Sequence, residues 1–528
     1  MGAAGAVTVR LGSGAVAASL LVAGTTSDAG KSIVTTALCR AFARRGLKVA
    51  PFKAQNMSNN SMVVCDPAGP GVTAEIGRAQ WIQALAARAT PEPAMNPVLL
   101  KPGGDRRSHV VVMGQPAGTV SSRDFVDGRA HLADAAFAAY DDLASRHDLV
   151  ICEGAGSPTE INLRGSDYVN MGLARHADMP VVVVGDIDRG GVFAALYGTV
   201  ALLQAADQRL LAGFVLNKFR GDASLLAPGL RELEALSGRP TFGVLPWHPD
   251  LWLDSEDALA VPAPGGAPSA GAAVDTLRIA VIRLPRISNF TDVDALGLEP
   301  DVELRFVTEP RDLAGADLVV VPGTRATLDD LAWLRARGLH HALATHVESG
   351  GAVLGICGGC QMLGREITDP DGIEGHPGAR VDGLGLLGLT TRFAPEKVLR
   401  LPTGRELGEA VSGYEIHHGR ITRGDDDDEF IGGARRDRVF GTMWHGTLES
   451  DGFRSAFLAE VVRGGGAAGA GRAGGVREAS GVSFGRAREA RLELLADLAE
   501  EHLDLDALLG LARAGAPAMP LLEPGASR

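Results

Sequence analysis

Leu20-Leu21-Val22-Ala23-Gly24-Thr25-Thr26-Ser27-Asp28-Ala29-Gly30-Lys31-Ser32 is the stretch on which the fold turns. An apolar run ends in a glycine, a polar loop follows, and Gly-Lys-Ser opens a helix-forming segment. That order outlines a phosphate-binding loop. The N–H groups of such a loop, backed by a helix N-terminus, face an anion, and Lys31 adds a point charge. Ser32 offers a hydroxyl to a magnesium ion. Gly24, Thr25, Thr26, Asp28, Ala29, Gly30, Lys31 and Ser32 are therefore the expected ATP contacts. The usual motif has four residues between its glycines; here five separate Gly24 from Gly30. The plainer alternative is an ordinary strand–turn–helix junction.

Downstream, residues 35–46 read as the next helix and 47–52 as the next strand. Its end delivers Lys53-Ala54-Gln55-Asn56-Met57-Ser58-Asn59-Asn60, and open α/β sheets bind ligands beyond their strand ends. Residues 74–89 read as a helix with Glu75, Arg78 and Gln80 near its start. A buried strand then ends in Glu153-Gly154-Ala155-Gly156. This Walker-B-like carboxylate at a strand tip can orient magnesium or its water. Further strands over 180–185 and 211–216 end in Asp186-Ile187-Asp188-Arg189 and Asn217-Lys218. Residues 243–246 read as one more short strand. The β-α-β spacing predicts a mainly parallel sheet covered on both faces.

Composition changes at 262–275, a Pro/Gly/Ala/Ser stretch that reads as a linker. A second α/β unit follows. Its strands over 277–282, 317–321 and 352–356 lead to Pro322-Gly323-Thr324 and Cys357-Gly358-Gly359-Cys360-Gln361, and Trp444-His445-Gly446 closes the set. The acidic run 425–429 reads as a solvated hairpin or loop, and the Gly/Ala-rich 464–475 as disordered. Residues 488–511 read as an amphipathic helix docking on the second unit. The expected fold class is α/β: a P-loop-type, mostly parallel sheet domain followed by a second α/β domain. The expected division is 1–17 extension, 18–261 nucleotide domain, 262–275 linker, 276–463 second domain, 464–480 disordered, and 481–528 helix and tail.

Gly355-Ile356-Cys357-Gly358-Gly359 has the shape of a nucleophile elbow, a strand turning sharply into a helix. The helix end favours a negatively charged sulfur. An amide attacked there needs an oxyanion hole, for which Gly358 and Gly323 are the candidates. His445, at a strand end, is the preferred base, and His417 and His418 compete with it. Cys357-Gly-Gly-Cys360 is formally a C-x-x-C, but it lacks a thioredoxin-like context and no second pair completes a zinc site.

Bulk properties limit the remaining classes. A net charge of −13 argues against a general nucleic-acid or anionic-membrane binder. Five cysteines in 528 residues make no disulfide scaffold. The small, apolar N-terminus superficially suggests a signal peptide, but cleavage after it would remove the strand that carries the phosphate loop. The expectation is a cytoplasmic protein. Nothing in the sequence fixes an oligomeric state.

Two sites in this order resemble a known combination. The loop and first half resemble the dethiobiotin-synthetase-like ATPases. The elbow, Gly413-Tyr414-Glu415-Ile416-His417 and the His445 segment resemble a class I glutamine amidotransferase domain of flavodoxin-like fold. Longer strings resemble the cobyric acid synthase family: 51–61, 153–163, 186–193, 217–222 and Arg283-Leu-Pro-Arg-Ile-Ser-Asn-Phe-Thr-Asp292. The resemblance implies four amidations of adenosylcobyrinic acid a,c-diamide, at its b, d, e and g carboxylates. Each would consume one L-glutamine and one ATP. It also implies that Lys53 steadies the phosphate or the substrate carboxylate. Ser32, Glu153 and Glu75 would hold Mg2+, and Asn217 would read adenine. Triad-type amidotransferases place a glutamate two residues after the histidine; here that position is Thr447, so what orients His445 stays open. The competing readings are an amidotransferase acting on another polycarboxylate or a peptidoglycan precursor, and a nucleotide-switched scaffold. The scaffold class needs an additional early lysine where this chain has Thr25-Thr26-Ser27.

Overall fold

The computed structural model describes residues 17–103, 107–121, 130–248, 276–463 and 480–522. The linker expected at 262–275 and the Gly/Ala-rich stretch at 464–475 lie outside these residues.

Two parallel sheets organise the chain. The first has six strands in the order Thr241–Pro246, Leu211–Phe219, Val181–Asp186, Ala18–Gly24, Leu149–Glu153, Val49–Phe52, all parallel. Such strands are covered on both faces, so they read as unbroken apolar runs rather than alternating ones. Val181 to Val184 are accordingly all buried. Ala18–Gly24 lies centrally, between the Val181 and Leu149 strands, so its C-terminal end delivers the phosphate loop between two neighbouring strand tips.

The second sheet has seven strands. Val302–Val307, Leu277–Ile282, Leu318–Val321, Ala352–Ile356 and Val439–Thr442 run parallel, and Gly433–Arg436 and Asp428–Phe430 extend it antiparallel. The acidic run expected as a hairpin or loop leads into a hairpin, Asp428–Phe430 pairing with Gly433–Arg436. Asp427 is buried and accepts the Gly388 N–H at 2.5 Å.

Three expectations are corrected. The helix expected over 74–89 starts later: Thr73–Gly77 is a strand paired with Ser61–Cys65, and the helix is Arg78–Ala86. The phosphate-loop helix begins earlier than expected, at Lys31, and runs to Arg44. The final helix is two, Phe484–His502 and Leu505–Ala514. They pack mainly on the first domain, while Phe484, at the start of the first of them, sits in the second domain's core. Leu492, Leu495, Ala496 and Leu508 share a core with Leu20, Val22 and Leu38. Arg40 pairs with Glu489 at 2.8 Å and Glu493 at 3.0 Å, and Arg44 with Asp497 at 2.7 Å.

Candidate active sites

The phosphate loop is closed on itself. Lys31 Nζ donates to the carbonyls of Thr26, Ser27 and Gly156 at 2.9, 3.2 and 3.1 Å. A phosphate would offer the same ammonium stronger acceptors. Gly30 adopts φ +95°, and a Cβ there would meet Asn217 Nδ2 at 2.0 Å. That contact seats Asn217 beneath the loop, where its Nδ2 donates to Ala29 O at 3.0 Å. Asp28 is tied to the next strand end, through Arg189 at 2.9 Å and through its carbonyl to Lys218 at 2.7 Å.

Glu153 is fully buried and accepts from Ser32 Oγ at 2.9 Å and Lys53 Nζ at 3.0 Å on the same oxygen. Its other oxygen accepts from Gln83. Lys31, Ser32, Lys53, Glu153, Gln55 and Asn56 line a cleft of about 410 Å³ that the 156–170 loop walls on its other side. A serine hydroxyl and a carboxylate oxygen in contact are hard donors of the kind magnesium takes together with phosphate oxygens. Glu75, the third residue expected at the metal, lies elsewhere. It is buried between Lys101 at 2.5 Å and Lys397 of the second domain. Burial opposes its charge, but those two ammonium groups outweigh it and hold the carboxyl well below its usual range. Among the described residues no group of three or more His, Cys, Asp and Glu is arranged to hold a metal. Ser32 and Glu153 are the two expected magnesium ligands that the structure brings into contact there.

At the second site Cys357 occupies a strained turn, φ 50° and ψ −107°, between the strand Ala352–Ile356 and the helix Gly358–Leu363. The first N–H groups of that helix have no partner inside it. Gly358 lies against Thr324, and a Cβ at Gly323 would meet His445 Cε1 at 2.9 Å. Only a glycine lets that loop approach the imidazole so closely. Gly323 thus lies beside His445, and Gly358, next to Cys357, lies against the Gly323-Thr324 loop.

His445 is 1% exposed and lies within electrostatic reach of Cys357. Its Nδ1 faces Asp292 Oδ2 at 2.6 Å, and Asp292 Oδ1 accepts the Gly446 N–H at 2.7 Å. Asp292 is the orienting acid that sequence reasoning missed. It ends the 283–292 string, on the short turn Phe290–Val293, 153 residues before the histidine. Burial disfavours a charged imidazole, but Asp292 first and Cys357 next outweigh it and raise His445 to about 10. Tyr414 stacks on the ring at 5.2 Å. The competing histidines line the same cavity as Cys357 but bond backbone carbonyls, His417 Nδ1 with Gly419 O at 2.8 Å and His418 Nδ1 with Ala394 O at 3.1 Å. Cys360 is fully buried and its thiol is pushed up by that burial.

The two domains meet through polar contacts. Asn289 Nδ2 donates to Tyr414 Oη at 2.8 Å and to Ser61 O of the first domain at 2.7 Å. Thr291 Oγ1 donates to Asn60 Oδ1 at 3.2 Å.

A parallel-sheet nucleotide domain carrying a phosphate loop, joined to a buried Cys-His-Asp site on a second α/β domain, defines a nucleotide-dependent glutamine amidotransferase. Comparison with known proteins agrees. Residues 20–260 match the CobQ/CobB/MinD/ParA nucleotide binding domain, and 278–453 the CobB/CobQ-like glutamine amidotransferase domain. The cobyric acid synthase of Mycolicibacterium gilvum is 67% identical over 508 residues, 96% of this chain and 99% of that one. That of Mycobacterium ulcerans is 66% identical over the same shares. The chain belongs to the cobyric acid synthase family. This likeness does not favour the alternative polycarboxylate, peptidoglycan-precursor or scaffold readings. Among the described residues no helix is long and apolar enough to cross a membrane.

Proposed function

We propose that this chain amidates the b, d, e and g carboxylates of adenosylcobyrinic acid a,c-diamide, giving adenosylcobyric acid, with ATP and L-glutamine consumed at each step. The observation that carries the reading is the pairing, in one chain, of the Lys31–Ser32–Glu153 cleft with the Cys357–His445–Asp292 site. High identity to cobyric acid synthases along nearly the whole chain supports the substrate.

Each half supplies what the other reaction lacks. A carboxylate does not condense with ammonia at neutral pH, because hydroxide is a poor leaving group. Transfer of the terminal phosphoryl group of ATP to the carboxylate makes an acyl phosphate, and ammonia then displaces phosphate from it. Lys31 and the loop N–H groups neutralise charge on the transferring group, and Lys53 steadies the carboxylate beside it. Magnesium, held by Ser32 and Glu153, would supply further charge neutralisation there.

Ammonia comes from glutamine. The Cys357 sulfur attacks the side-chain amide, the Gly358 and Gly323 side of the pocket stabilises the oxyanion, and His445 protonates the departing ammonia. Water then clears the thioester as glutamate. Asp292 keeps His445 in place and charged. We take residues 18–261 and 276–463 as the two working units and place the enzyme in the cytoplasm, where ATP and glutamine are available.

The test is incubation with the a,c-diamide, glutamine and Mg-ATP, followed by mass analysis of the corrin. Stepwise conversion to the hexa-amide is expected. A corrin left unchanged with both glutamine and ammonium as nitrogen source would overturn the assignment.

A further inference from the structure

The cavity at Cys357 is walled by both domains, and its charges do not balance. It measures about 280 Å³. Cys357, Arg325, Glu374 and Lys397 reach it from the second domain, and Lys101 and His109 from the first. Lys101 sits on the strand Val98–Pro102 and Lys397 on the strand Thr390–Arg400. Both ammonium groups converge on the one carboxylate of Glu75, and Lys101 also donates to Ser61 Oγ at 3.0 Å. Arg325 faces Glu374 at 3.8 Å. The two lysines thus share a single carboxylate. The imidazoles respond to that field. Burial first, then Arg325, His418 and the two lysines, press His109 down to about 3. Burial and Lys397 press His418 to about 4.

Buried charge without a counterion is costly, and the cost falls when an anion fills the site. We propose that Lys101 and Lys397 together bind the α-carboxylate of glutamine, so that the glutamine site is composite. On this reading Cys357 and the oxyanion donors come from one domain, and a specificity-determining lysine comes from the other. Glutamine is then gripped only where the synthetase domain is in place, which ties ammonia production to the assembled enzyme. The proposal rests on the reading of Cys357 as the residue that attacks glutamine.

The experiment uses the full-length protein and two amides. 4-Aminobutanamide is glutamine without its α-carboxylate. Ammonia release from each is measured for the unmodified protein, Lys101→Met and Lys397→Met, and ammonium-supported amidation reports on the fold of each variant. The unmodified protein should strongly prefer glutamine. Loss of one charge-assisted contact should lower kcat/KM for glutamine by about 10- to 100-fold and change that for 4-aminobutanamide by less than about two-fold. A purely structural role would lower both alike, and that result would overturn the proposal. So would an unmodified protein that turns over both amides equally, a result that needs no variant. Ammonia release from glutamine by Cys357→Ser would instead remove the reading beneath it.

Discussion

Asp292→Asn removes one charge from the glutamine site and nothing else of size. The carboxylate holds His445 Nδ1 at 2.6 Å and the Gly446 N–H at 2.7 Å. Asparagine can accept one of these bonds, but it cannot balance a charged imidazole. Raising the ring from 6.5 to about 10 corresponds to roughly 5 kcal/mol in favour of the protonated form. Asp292 is the largest of the favourable causes, ahead of Cys357. Forfeiting ~2–4 kcal/mol of that should slow glutamine hydrolysis by about 30- to 10³-fold.

The pH dependence has a definite sign. A folded-state value above the unfolded one contributes stability that is complete below pH 6.5 and is lost as pH rises through about 10. The imidazolium therefore persists through neutrality, and glutamate release should stay level into the alkaline range. In Asp292→Asn the alkaline fall should move down toward neutral pH. Glutamate release against pH is the assay, with ammonium-supported amidation as the reference for an intact synthetase site. A variant with the normal rate and an unmoved alkaline fall would refute the role given to Asp292.

Four more substitutions separate the sites. Lys31→Ala should abolish amidation with glutamine and with ammonium alike, and retained ATP-dependent product would sink the phosphate-loop assignment. Glu153→Gln keeps the shape but removes the charge beside Ser32 and Lys53, so kcat for amidation should fall by about 10²-fold or more; normal kinetics at saturating Mg-ATP would exclude the role. Cys357→Ser should lose glutamine-dependent amidation and keep the ammonium-driven reaction at high pH, whereas Cys360→Ser, at a fully buried thiol, should stay near normal; the reverse pattern would show the wrong cysteine had been chosen.

What could be read from the sequence followed from how local its cause is. The parallel strands were legible because double-sided burial writes four valines in a row at 181–184. Gly-Lys-Ser and the Cys357 elbow were legible because each motif's geometry is made within a few residues. Asp292 was not, because its partner is 153 positions away and its own turn has no periodicity. Its only trace was the 283–292 string, quoted there without a role. Glu75 was misplaced for a different reason. The segment before Arg78 satisfies its backbone by pairing with Ser61–Cys65, a long-range choice that outweighed helix propensity. The last helices were read correctly as amphipathic, but an apolar stripe does not name what it covers. The better signal lay in charge: Arg40 and Arg44 on the loop helix match Glu489, Glu493 and Asp497.

That misjudged docking changes how the two halves are held. Glu449 lies four residues beyond His445 and pairs with Arg78 at 2.7 Å and Arg488 at 2.9 Å. Both guanidinium groups lie over the Trp81 ring, at 4.6 and 5.0 Å. Burial opposes the charge on Glu449, but the two arginines outweigh it and lower its carboxyl. Arg78 follows the strand that carries Glu75, and Arg488 stands on the helix that covers the phosphate-loop helix. The segment bearing the catalytic imidazole is thus anchored to the synthetase domain from two directions. Removing Glu449 would take the shared carboxylate from both guanidinium groups, which is far costlier than loss of an exposed pair. Ammonia that escapes into water is protonated and lost to the reaction, so the chemistry gains from a seam that resists opening. Ion pairs with several partners, backed by Asn289 on Ser61 and Thr291 on Asn60, give the seam that resistance while fixing its register more tightly than apolar contact alone.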